Sequence, residues 1–259
     1  MLPARRMLTF SLQSGSNGNA IYVEAGDVRL LFDAGISGVE AERRMQRHGR
    51  DIRDVCALII SHEHRDHVCC AGVYQRKFRL PIYITPPTLA AISREAGRLG
   101  DVRFFFSGQT LEFGPVRVYT IRTPHDACDG VAFVVEHDGR RLGILTDLGH
   151  RFDGLAEIVE SVDAAYLEFN HDAHLLRTGS YAPRLKARIA GPGGHLSNDD
   201  AAALVAACGR NRPAWIAMAH LSGENNTPEH ASATVRERVG ADYPAFLAGR
   251  HDVSAIMKC

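Results

Sequence analysis

His62-Glu63-His64-Arg65-Asp66-His67 is the stretch that decides this chain, with four candidate metal ligands inside six residues. Imidazole nitrogen and carboxylate oxygen are donors that zinc, iron and manganese accept. The apolar run at residues 55–60 precedes it and reads as a buried strand. The ligands therefore sit on the loop leaving a strand end, where a rigid scaffold presents reactive groups. A solvated loop has no reason to gather three histidines and an aspartate at this spacing.

Other segments repeat that pattern of a short apolar strand ending in a reactive residue. Residues 19–24 and 28–33 flank Ala25-Gly26-Asp27 and read as a hairpin whose second strand ends at Asp33. Residues 131–136 and 141–146 flank Asp138-Gly139, a second hairpin that ends at Asp147. Residues 116–122 lead to His125, 164–169 to Asn170-His171-Asp172, and 215–219 to His220. Helices are expected over 38–49, 87–99, 153–159, 183–189, 198–208 and 228–239, with Asn198-Asp199-Asp200 as a cap and Gly209 as a stop. Two sets of strands, each followed by helices, predict an α/β, αββα sandwich: two mixed β-sheets face to face, flanked by helices. A single domain over residues 1–259 is expected, with the reactive strand ends converging on one edge.

Composition bounds the rest. Lys+Arg and Asp+Glu are both 30, so no global field selects nucleic acid or membrane, and a polyanion would need a local patch. No apolar run approaches the ~20 residues that span a bilayer. The charged N-terminus lacks an apolar run behind it, which argues against a signal peptide. Cys56, Cys69, Cys70, Cys128, Cys208 and Cys259 form no Cys-x-x-Cys pair, which suits free thiols in a cytoplasmic protein. Cys69 and Cys70 read as packing residues beside the metal loop.

His62, His64, Asp66, His67, His125, Asp147 and His220 are too many ligands for one tetrahedral ion. They suit two divalent ions (Zn, Mn or Fe) ~3.5–4 Å apart, sharing an activated hydroxide. The natural division gives His62, His64 and His125 to one ion, and Asp66, His67 and His220 to the other, with Asp147 bridging. Asp33 is expected to hold a ligating imidazole from behind. Ser14-Gly15-Ser16-Asn17-Gly18-Asn19 offers amides and small polar groups that suit an oxyanion cradle.

These motifs resemble the metallo-β-lactamase superfamily of di-metal hydrolases. Asp33 matches its first motif, His62-x-His64-x-Asp66-His67 its second, His125 its third, Asp147 its fourth and His220 its last. The resemblance runs from Ser14 to about Asn226 and leaves the substrate open. Ser11 to Asn19, Asn170-His171-Asp172, Gly194-His195-Leu196-Ser197-Asn198 and His220-Leu221-Ser222-Gly223-Glu224-Asn225-Asn226 together resemble the YycJ/WalJ-type exonuclease branch. That resemblance implies a phosphodiesterase, a nuclease acting on DNA, with Asp66 and His195 as catalytic groups. Ser14, Ser16, Asn17, Asn19, Asn170, His171 and Ser197 are the expected substrate contacts. A small-molecule cyclic-phosphate or nucleotide phosphodiesterase is the alternative, followed by a thioester hydrolase of the glyoxalase II type. A non-catalytic metal-binding protein is disfavoured by the complete ligand set. Asp66 followed by His67, with no cysteine at a ligand position, argues against a lactamase. Arg184, Lys186 and Arg188, with Tyr181 before them, form a basic run that suits either a nucleic-acid backbone or a solvated helix face.

Overall fold

The computed structural model describes residues 7–259, apart from the side chains of residues 93–95. The charged N-terminal stretch considered above as a signal peptide, residues 1–6, lies outside the described residues. Among the described residues, fourteen strands form two seven-stranded sheets. In chain order they are β1 Leu8–Gln13, β2 Ala20–Ala25, β3 Val28–Phe32, β4 Ala57–Ile59, β5 Ile82–Ile84, β6 Val102–Phe104 and β7 Thr110–Phe113. Then come β8 Val116–Arg122, β9 Val131–His137, β10 Arg140–Leu145, β11 Ala164–Glu168, β12 Trp215–Ala219, β13 Ala245–Leu247 and β14 Met257–Lys258. One sheet runs β14-β1-β2-β3-β4-β5-β6 and the other β13-β12-β11-β10-β9-β8-β7. Both are mixed: β3 to β6 are parallel, as are β10 to β13, and the remaining pairs are antiparallel.

Three apolar clusters explain the four layers. Phe32, Ile59, Val118, Phe133, Ile144 and Tyr166 lie between the sheets. Phe32 and Phe133 meet with ring centroids 5.0 Å apart. Leu31, Leu58 and Ile60 turn to the outer face of the first sheet, against Met45, Tyr74 and Phe78 of its helices. Ala165, Leu167 and Ile216 face outward from the second, against Leu155, Leu204 and Val235. Successive residues of one strand point to opposite faces, so strands apolar throughout are buried on both sides. At about 25 cal/mol per Å² of apolar surface removed from water, these clusters are the main source of stability.

Several boundaries differ from the sequence reading. Residues 52–54 form a 3₁₀ turn, so the strand expected over 55–60 shortens to β4. The metal stretch is a turn of helix, Arg65–Val68, with His64 at its N-cap. Ser197, rather than Asn198, caps the helix Asn198–Ala207 by accepting from the Asp200 amide. The expected helix over 183–189 is found at Pro183–Ile189. The Asp138-Gly139 hairpin is also found: both residues have positive φ, 48° and 73°, between the paired His137 and Arg140.

The parallel strands bring their carboxyl ends to one rim. β3 and β4 end before Asp33 and His62 on one sheet. β8, β10, β11 and β12 end at or before His125, Asp147, Glu168 and His220 on the other. Carboxyl ends of strands are where such sheets hold ligands. Gly35 locks the two loops together. The Asn19 amide donates to the Asp66 carbonyl at 2.7 Å, Ala34 to His67 at 2.7 Å and Gly35 to Asn19 at 2.9 Å. A methyl on Gly35 would fall on the Asp66 carbonyl oxygen and 2.6 Å from the Asn19 nitrogen.

Gly35→Ala is therefore expected to destabilise by about 3 kcal/mol, the upper range for overpacking. That predicts a fall in melting temperature of roughly 6–12 °C for a domain of this size, together with loss of metal retention. Calorimetry and metal analysis check it; a variant that melts and loads like the parent refutes this account of the loop.

Candidate metal centre

The chain reverses sharply after three of the strands that feed the rim, β3, β10 and β12. Asp33, Asp147 and His220 all take positive φ, at 65°, 57° and 56°. A left-handed non-glycine residue costs roughly 1–2 kcal/mol. Here the reversals fall at the ends of strands that converge on one rim, where strained backbone commonly marks function.

The seven expected ligands come together, in overlapping clusters whose donor atoms lie within 4.8 Å of one another. His62, His64 and His125 form one, Asp66, His67 and His220 another, and His62, His67 and Asp147 link them. His125 donates its Nδ1 proton to the Gly194 carbonyl at 2.9 Å, because a carbonyl can only accept. Its Nε2 is then a bare lone pair, and it faces His64 Nδ1 at 3.1 Å. Asp147 lies 3.6 Å from His125 Nε2, 3.3 Å from His67 Nε2 and 3.3 Å from His220 Nδ1, between the two groups. Asp66 approaches His220 Nε2 at 3.2 Å and His67 Nε2 at 3.5 Å.

Asp33 sits behind the ligands, as expected. It takes His67 Nδ1 at 2.7 Å and both the amide and hydroxyl of Ser61, at 2.8 and 2.9 Å. That contact puts the proton of His67 on Nδ1 and turns Nε2 into the cluster.

The donors fit divalent cations. His62 Nε2 and Asp147 Oδ2 are buried without a hydrogen-bond partner. A buried polar atom left unsatisfied costs about 1–3 kcal/mol, which a cation would relieve. The electrostatics ask for the same charge. Burial opposes ionisation of Asp147, yet the charges of His220 and His67 hold its carboxyl well below the usual range. Asp66 behaves alike, burial being outweighed by His67 and His220. Burial works against a charged His220, but Asp147, Asp66 and Glu168 push it up to about 10. In His62, with no carboxylate hydrogen bond, burial and the charge of His67 drive the pKa well down.

Glu168 escaped the sequence reading. Fully buried at the end of β11, it accepts from His195 Nδ1 at 2.7 Å and lies 3.2 Å from His220 Nδ1. Its other oxygen accepts from the amides of Leu148 and Leu196 at 3.0 and 3.1 Å. Burial alone would raise its pKa; the charge of His195 and the hydrogen bonds of both imidazoles hold it at about 2. With both oxygens engaged, it braces His195 and His220. The one available signal was a glutamate closing an otherwise apolar strand.

The expected substrate contacts divide. Ser16 and Asn17 are exposed and line a cavity of about 240 Å³ with Gly35, Arg65, Asp66 and Cys69. Ser14 and Asn19 are buried and committed to protein partners. Ser14 Oγ donates to Asn19 Oδ1 at 3.2 Å and accepts from the His220 amide at 2.9 Å. Asn19 Nδ2 reaches Asp66 Oδ2 at 3.3 Å and His67 Nε2 at 3.0 Å. Asn170 donates to the His220 carbonyl at 3.0 Å, and Ser197 caps a helix. His171 is buried, with Nδ1 unpartnered and its pKa lowered chiefly by burial. His195 precedes the Ser197 cap, with its ring centroid 4.8 Å from that of His125 and 5.1 Å from that of His220.

Residues 14–220 match the Metallo-beta-lactamase superfamily, so the chain belongs to that superfamily and is a metal-dependent hydrolase. Over 246 residues it is 36% identical to exodeoxyribonuclease WalJ of Streptococcus pneumoniae, covering 91% of each chain. It is 35% identical over 228 residues to exodeoxyribonuclease YycJ of Bacillus anthracis, covering 87% of this chain and 86% of that one. Among solved structures it is similar to the metallo-beta-lactamase fold protein YhfI of Bacillus subtilis, with TM-score 0.76 and 16% identity over 98% of this chain and 100% of that one. A diphosphatase of the PhnP family gives TM-score 0.69 and 14% identity, covering 98% of each. At such identities the two structures support the fold alone.

Glu168→Gln removes the charge that holds His195 and His220 while keeping the shape. Loss of such a bracing carboxylate typically costs about 10–100-fold in metal affinity or activity. Metal retention against a competing chelator, with turnover, checks this; a variant unchanged in both removes Glu168 from the site.

Proposed function

We propose that the protein is a two-metal phosphodiesterase, a nuclease that degrades DNA as an exonuclease, folded as one unit over residues 1–259. The observation that carries the substrate is the 35–36% identity to chains named exodeoxyribonuclease over nearly their whole length. The gathered ligand set supports the hydrolytic chemistry. His62, His64 and His125 would hold one divalent ion, Asp66, His67 and His220 the other, with Asp147 shared. Bound there, such ions lower the pKa of water and neutralise charge on phosphoryl oxygens.

The remaining work belongs to the chain. Asp66, at the mouth with its side chain 23% exposed, is both ligand and orienter of the attacking water. His195 is fixed by Glu168 at Nδ1, which leaves Nε2 as the atom to pass a proton to the departing oxygen. Ser16 and Asn17 contact substrate at the rim, with His171 deeper in. Ser14, Asn19, Asn170 and Ser197 act by holding the loops that carry those groups.

Metal analysis followed by a panel of duplex DNA, single-stranded DNA, RNA and a cyclic nucleotide tests the reading. Two ions per chain and progressive trimming of DNA ends are expected. One ion under replete conditions, or turnover confined to the cyclic nucleotide, refutes it.

His195→Ala is expected to lose about 10²–10⁴-fold in turnover on DNA while retaining both ions. On bis(p-nitrophenyl) phosphate, whose leaving group needs no proton, the loss should be much smaller. Equal losses on both substrates would make His195 a phosphate-binding group, and loss of an ion would make it a ligand.

A further inference from the structure

The segment after β11 carries a charge pattern at odds with the balanced chain. Residues 173–198 contain Arg177, Arg184, Lys186 and Arg188 and no aspartate or glutamate, in a sequence with 30 basic and 30 acidic residues. Two short helices, Ala173–Thr178 and Pro183–Ile189, build a largely exposed arm. Within them only Leu176 is buried, and Pro183–Ile189 buries nothing. A helix made only for packing would turn an apolar stripe inward.

The arm is wired to the metal centre at its base. The His195 amide donates to the Ile189 carbonyl at 2.9 Å, the Asp126 amide donates to the Gly193 carbonyl at 2.9 Å, and His125 Nδ1 donates to Gly194. Arg188 forks onto Asp126 at 2.5 and 3.0 Å, and Asp126 stands 3.6 Å from His125 Nε2. Lys186 donates to the Arg177 carbonyl at 2.9 Å, which ties the two helices together. Arg184, by contrast, has no ion pair among the described residues.

We infer that this arm is a phosphate-backbone track, and that Arg184 and Lys186 hold a nucleic-acid strand whose end lies at the metal centre. The inference deepens the proposed nuclease reading and rests on it for the strand's identity. A seven-residue helix is about 10 Å long, enough to pass about three phosphates at ~3.4 Å of rise each. A polymer can engage the arm as well as the metal centre, a distinction that the ligand set alone does not draw. Contacts of this kind carry affinity and salt dependence without base sequence.

The test compares metal-loaded wild type with the Arg184→Gln/Lys186→Gln double variant. Both positions lie outside the ligand set, so hydrolysis of bis(p-nitrophenyl) phosphate should not change. Binding is read by fluorescence anisotropy on a labelled phosphorothioate oligonucleotide, single-stranded and duplex, across a potassium chloride series. Losing two phosphate contacts should reduce the slope of log affinity against log salt by about 1.4 for a single strand or 1.8 for a duplex. Turnover of unmodified DNA should fall roughly tenfold at 150 mM salt, mostly in KM, since the contacts are uniform binding. Arg184→Glu/Lys186→Glu should weaken binding further. If the variants match wild type in slope, affinity and KM while wild type degrades DNA, the track is refuted and the nuclease reading stands. If wild type binds DNA with the arm-dependent slope but cleaves only small phosphodiesters, the nuclease reading fails and the track stands. If wild type binds neither oligonucleotide, the track is refuted.

Discussion

Four carboxylates gathered at one rim are the constraint on which the rest depends. Asp33, Asp147 and Glu168 are buried, and Asp66 is mostly so. Taking a carboxylate out of water costs several kcal/mol unless a partner compensates. The molecule supplies partners in layers. Asp33 takes His67 and Ser61, Glu168 takes two imidazoles and two amides, and Asp66 and Asp147 face the imidazoles directly. Burial, with the charge of His67, pushes the pKa of His62 well down, while the surrounding carboxylates push those of His67 and His220 up. Protons settle part of this imbalance, and divalent ions bound among the same donors would settle more of it.

Such a site needs backbone in unfavourable conformations, and the sandwich supplies the rigidity to hold them. Asp33, Asp147 and His220 each reverse the chain at the end of a strand packed into two apolar layers. A loosely packed element would relax out of a left-handed turn. A strand buried on both faces cannot do so without disturbing the core, so the penalty is absorbed locally and each side chain stays aimed at its neighbours.

Much of this was legible in the sequence. Metal chemistry fixes donor types, and the second motif compresses four of them into six residues. Strands ending in such residues then implied a common rim, and the long interior strands other than β1 fall where the apolar runs lie. The elements that escaped are mostly short or peripheral: β6, β7, β13 and β14 have two to four residues each, too few to show a period. Glu168 escaped for another reason. A single glutamate near the end of an apolar strand carries no signal of its role, and only the facing His195 and His220 reveal its partners. Ser14 and Asn19 suit phosphate by their small polar groups, and Asn170 and Ser197 stand in motifs that resemble the exonuclease branch. The same groups suit orphaned backbone amides and carbonyls, and only the fold shows where those are.

The hydroxyl of Ser14 receives the amide of His220, and Gly15 bridges to Leu221, across more than two hundred residues. During synthesis His62, His64 and His125 emerge in the first half of the chain, while Asp147 and His220 follow in the second. A growing chain thus exposes four imidazoles and the carboxylate of Asp66 before the two ligands that complete the cluster exist. The closing stitch between Ser14 and His220 waits for β12, so the ligand set is completed only late in the chain.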